Sequence, residues 1–86
     1  MLLGFLIKAA IAAAVVSAIV IYVSGKITQS KIQDALREKG VKSALIQKID
    51  NCNNVVSLKD LESDQEYELH GDSIDDYLRE DQRIYV

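Results

Sequence analysis

The chain has no proline, no tryptophan, one cysteine, one histidine, one phenylalanine and only four glycines in 86 residues. With a single thiol, Cys52, neither an intrachain disulfide nor a zinc site of paired cysteines is possible, and the single imidazole, His70, rules out a two-histidine metal site. There is no glycine-rich phosphate loop and no Asn-x-Ser/Thr glycosylation acceptor. The length leaves room for one small domain and excludes a large enzyme.

Charge is also missing where the chain begins. Residues 1–25 hold one charged side chain, Lys8, whereas residues 26–48 hold six bases against Asp34 and Glu38. Residues 49–86 carry seven Asp and four Glu against Lys59, Arg79 and Arg83, and the three blocks sum to the net charge of −3. The chain is therefore three physically different segments.

Residues 2–23 read LLGFLIKAAIAAAVVSAIVIYV. As a helix at about 1.5 Å per residue this run matches the roughly 30 Å core of a bilayer. Tyr22 suits an interfacial anchor, and the stem of Lys8 leans N-terminally, so its ammonium reaches toward the headgroups. The sequence thus predicts a transmembrane helix over residues 2–24. A cleaved signal peptide fits less well, because the early base follows six apolar residues instead of preceding them. A core helix of a small acidic domain would lack enough apolar cover, and a helix lying flat in the interface would need a charged face. Lys26, Lys31, Arg37, Lys39 and Lys42 flank the run on its C-terminal side. They predict a single-pass protein of the cell membrane with its N-terminus outside and its C-terminal domain in the cytoplasm. Ala10, Ala14 and Ala18 recur every four residues and form a smooth candidate helix-packing face for a homo-oligomer.

Beyond Ser24 and Gly25, the run KITQSKIQDALREKG has good helix formers and a glycine stop, and predicts a basic juxtamembrane helix within residues 25–40. Its stripe of Ile32, Ala35 and Leu36 is suited to packing on the following domain, while Lys26, Lys31 and Lys39 are candidate contacts to lipid headgroups.

Residues 41–86 change pattern. Segments 44–50, 55–61, 66–70 and 83–86 are rich in β-branched and aromatic residues and are separated by turn chemistry, Asn51 to Asn54 and Glu62 to Gln65. Val56 and Leu58, like Tyr67 and Leu69, alternate with polar neighbours, which predicts antiparallel strands with one buried side. Ser73 and Asp76 stand in a capping-box relation ahead of a short helix. The ending from Leu78 to Val86, a helical turn, a polar corner and a last strand, looks like the closing element of small barrels of the SH3-like or OB type. The expected fold is therefore α+β: the transmembrane helix, the linker helix, then an antiparallel meander or SH3/OB-like small barrel over 41–86.

No catalytic constellation emerges. Cys52 and His70 have no third orienting group, and the acids at 72, 75, 76, 80 and 81 lack the spacing of a calcium loop and read as capping groups on a solvated face. The excess of acids repels nucleic acid. Neither a cofactor, a metal nor a small-molecule substrate is expected. The leading functional expectation is a membrane-anchored, non-catalytic protein that presents an acidic interaction module to an unidentified protein partner, with the bilayer as its other partner. The alternatives are a holin-like or toxin-like membrane-active protein with a regulatory tail, or an accessory subunit of a membrane complex.

Overall fold

The computed structural model describes residues 17–86. From Ser17 onward the alanine-rich run gives way to Ile19, Val20 and Ile21, whose branched Cβ atoms crowd a helix and fit a pleated strand. Strand β1 (Ile19–Tyr22) forms there and is followed by the two-residue strand β2 (Lys26–Ile27), helix α1 (Gln29–Glu38) and strands β3 (Ser43–Asp50), β4 (Val55–Asp60), β5 (Glu66–His70), β6 (Ser73–Ile74) and β7 (Arg83–Tyr85). The main sheet has five strands in the order β1-β5-β4-β3-β7, and β2 pairs with β6 in a separate two-stranded ladder. The β3-β4-β5 meander and the β3–β7 pair are antiparallel; β1 lies parallel to β5, with Ile19 opposite Tyr67 and Tyr22 opposite His70.

Helix α1 starts where Thr28 Oγ1 accepts the Lys31 N–H at 3.2 Å. It stops at Gly40, whose φ of 75° a side chain would disfavour. The Gly40 and Val41 amides return to the carbonyls of Arg37 (3.1 Å) and Leu36 (2.9 Å), a Schellman closure that brings Val41 onto the core side. Ile32, Ala35 and Leu36 then pack on the inner face of the sheet with Ala44, Ile46, Val56, Leu58, Tyr67, Leu69 and Ile84, while Ile27 and Leu78 close the end. Gln33 Nε2 donates to the Tyr85 carbonyl at 2.8 Å and ties the helix to β7.

Three expectations are corrected. The transmembrane helix of residues 2–24 is overturned because Ile19–Tyr22 is a strand whose partner is β5, and Val23 N–H continues that pairing to His70 O at 2.7 Å. The rest of that segment, residues 2–16, lies outside the described residues. Among the described residues no helix is long and apolar enough to cross a membrane, so the single-pass placement with its outside and cytoplasmic ends falls with it. The α+β layout of anchor, linker and separate meander or barrel is likewise replaced. One small β-rich domain holds β1, β2 and α1, and among the described residues its sheet is open, with β1 and β7 as edges. The short helix before the last strand is absent as well. Ser73 and Ile74 pair parallel with Lys26 and Ile27, and Asp75 N–H donates to Ile27 O at 3.0 Å, so the backbone that a capping box would coil is held extended.

Candidate functional site

An open groove of about 580 Å³ lies beside the β6–β7 connection, lined by Ile49, Asn51, Ile74, Asp75, Asp76, Leu78, Arg79 and Glu80. Its floor is apolar for two local reasons. A bulge in β3 between Ile46 and Lys48 shifts the register, so Gln47 and Lys48 are both exposed and Ile49 turns back toward the core. On the other side, the β2–β6 ladder holds Ile74 against that same core, and the turn after it lets Leu78 bury its side chain.

The rim is set by hydrogen bonds of the connection itself. Asp75 Oδ1 accepts the Tyr77 N–H at 3.2 Å, and Leu78 N–H closes on Asp75 O at 3.2 Å, which is Asx-turn geometry. Glu80 Oε2 accepts the Ile49 N–H at 3.0 Å, so this carboxylate spans from the connection to the bulged end of β3. Arg79 Nη1 donates to the Asp76 carbonyl at 2.9 Å, which folds the one base of the lining back onto its own turn. Asp81, at φ 67°, sends its N–H to Ile46 O at 2.7 Å and anchors the end of the connection to β3. Tyr77, between Asp76 and Leu78 of the lining, is 85% exposed. Next to the groove, Asp50 accepts from the Asn53 side chain and from the backbone amides of Asn53 and Cys52, and these bonds, the Asn53 side chain foremost, hold its carboxyl below the ordinary value.

The groove thus joins an apolar floor to the carboxylates of Asp75, Asp76 and Glu80. Nothing in it supplies a nucleophile with a base. Cys52 is exposed in the β3–β4 turn, whereas His70 lies on the outer sheet face, 3.3 Å from Glu68 Oε1 and with its ring 5.4 Å from that of Tyr22. Among the described residues no group of three His, Cys, Asp or Glu could hold a metal.

Of the residues singled out for helix packing, Ala10 and Ala14 lie outside the described residues, and Ala18 is half-buried just ahead of β1. Lys26 is exposed in β2 and Lys39 is exposed at the C-cap of α1, while Lys31 Nζ donates to the Ser24 carbonyl. Sequence reasoning noticed the density of acids at 72–81 but not the groove. Its floor joins Ile49 to Ile74 and Leu78, and that meeting depends on a bulge and a parallel ladder that leave no periodic trace.

No protein-family model matches the chain, and neither the curated proteins nor the solved structures hold a match to it.

Proposed function

We propose that the protein is a non-catalytic interaction module whose acidic groove docks a basic, apolar-anchored segment of a partner protein. The observation that carries this reading is the joining of an apolar floor, Ile49, Ile74 and Leu78, to a rim of Asp75, Asp76 and Glu80 in which the only base is turned back onto the backbone. Aliphatic side chains of the partner would supply affinity by leaving water, and its Lys or Arg residues would supply orientation and on-rate through the rim. Tyr77 beside the groove adds an aromatic contact of the kind that dominates small interfaces.

The test is an amide NMR titration of the full chain with two synthetic peptides, one alternating Leu and Lys and one alternating Leu and Glu. The basic peptide is expected to shift the amides of residues 49–51 and 74–80, with affinity falling as salt rises. A charge pair at such a rim contributes about 0.2–1 kcal/mol, so Asp75→Asn with Asp76→Asn should weaken binding several-fold. Equal shifts from the acidic peptide, or shifts spread over the whole sheet, would sink the assignment.

A further inference from the structure

Among the described residues strand β1 is an edge of the sheet, and apart from its shortness it carries none of the charge, proline or bulge that usually blunts one. Residues 17–23 contain no charge, no proline and no glycine. Its side chains are exposed although apolar: Ile19 is 39%, Val20 45% and Tyr22 81% exposed. The bond from Val23 N–H to His70 O fixes which backbone groups face inward. By the alternation of a strand, Ile19 and Ile21 share that direction, so the N–H and C=O groups of Val20 and Tyr22 point away from the sheet.

Alongside this edge runs a groove of about 270 Å³ between β1 and α1, floored by Ile21, Val23 and Ala35 and bordered by Lys31, Asp34, Glu38 and Lys39. The border carries two bases and two acids along α1 and its C-cap, so a second copy of it brings both signs to meet both signs. A surface repeated on both sides of a two-fold axis requires that property.

We infer that β1 is a homodimerisation edge, paired antiparallel with β1 of a second copy about a two-fold axis at Ile21. In this register Val20 of each chain exchanges both backbone hydrogen bonds with Tyr22 of the other, which uses all the outward groups of the strand. Ile21 then faces Ile21 of the second copy across the close, non-hydrogen-bonded pair. Ile19 faces Val23 on the helix side, and Val20 faces Tyr22 on the outer side, so each cross-strand pair is apolar or aromatic. The two five-stranded sheets become one continuous sheet, and no free edge remains at β1. The chain's own upstream segment is the other possible occupant.

The experiment is sedimentation of the full-length chain, joined to disulfide cross-linking. Wild type is expected at twice the 9.6 kDa chain mass. Val20→Pro removes only an outward N–H and should weaken association at least tenfold while the dispersed amide spectrum persists. Should proline disturb the fold, Val20→Lys with Tyr22→Lys places like charges opposite one another on the exposed face and should dissociate the dimer equally. In a Cys52→Ser background, Ile21→Cys should cross-link readily, because directly opposed residues of such a pair lie within disulfide reach, and Lys59→Cys on a central strand should not. A monomeric wild type, as when residues 1–16 cover the edge, overturns the inference. So does a dimer whose mass survives both the proline and the lysine variants, or equal cross-linking at positions 21 and 59.

Discussion

Gly71 sits close against Ile27 and the Gly25 carbonyl. It follows β5, its N–H donates to Asn54 O at 3.1 Å, and a Cβ placed on it would lie 2.6 Å from Ile27 Cγ1 and 3.0 Å from the Gly25 carbonyl. Ile27 is fully buried and the carbonyl is backbone, so neither neighbour can give way cheaply. Gly71→Ala should cost about 2 kcal/mol by overpacking. For a domain of this size that lowers the melting midpoint by roughly 10 °C, readable by circular dichroism; an unchanged midpoint would mean that the β2–β6 ladder is not packed as described. Tyr67 gives a pH-dependent counterpart. Its phenol is buried, and desolvation first, with the nearby negative charge of Asp60 second, pushes its pKa above the ordinary value of 10. The folded state therefore favours the neutral phenol. This stabilisation is whole below pH 10 and is lost as pH rises from the unfolded value through the raised folded one. Urea midpoints measured at pH 8 and at pH 10.5 should fall further for wild type than for Tyr67→Phe, and equal falls would remove the phenol from the alkaline transition.

At the scale of elements, the strands and the helix differ in how far the residues reveal them. Val56, Leu58, Tyr67 and Leu69 alternate with polar neighbours, and this period of two is what buries them on one face of β4 and β5. Helix α1 is legible for a similar reason: its start signal at Thr28, its stop at Gly40 and the spacing of Ile32, Ala35 and Leu36 agree with one another. Residues 19–22 gave no such agreement. Strand and membrane helix both ask for consecutive Ile and Val, and only the presence of an unpaired edge on β5 decides between them. The segment 73–78 failed in the opposite way. Its capping residues are genuine turn formers, yet two backbone bonds, from Asp75 to Ile27 and from Asp72 to Gly25, hold it against β2. Tertiary partners more than forty residues away thus override local signals in both places. Ile49, Ile74 and Leu78, which floor the candidate groove, are brought together by that same override, so the site was no more legible than the elements that carry it.

For the whole molecule, the order of charge takes on a different meaning once β1 belongs to the sheet. The apolar start, the basic middle and the acidic remainder are not strung out along a line: β1 lies beside Glu66 and Glu68 of β5, and α1, whose two bases and two acids balance, covers the inner face of the sheet. The N-terminal run then contributes to stability in its last seven residues, where Ile21 and Val23 pack against the core and Gln65 Nε2 donates to the Ser17 carbonyl at 3.1 Å. A comparison of two shortened chains isolates that contribution. One begins at Ser17 and keeps β1; the other begins at Ser24 and retains Gly25 with its bonds to Asp72 but loses the parallel pairing with β5. Removing two partly buried aliphatic side chains and the ladder hydrogen bonds costs on the order of 3–5 kcal/mol, a large part of what a domain of this size has in reserve. The longer chain should melt cooperatively with a dispersed amide spectrum. The shorter one should melt far lower, with the amides of β5 losing protection from hydrogen exchange before those of β3 and β4. If the two chains melt together, residues 17–23 are an appendage and not a strand of the fold, and the dimer edge inferred at Ile21 would fall with that result.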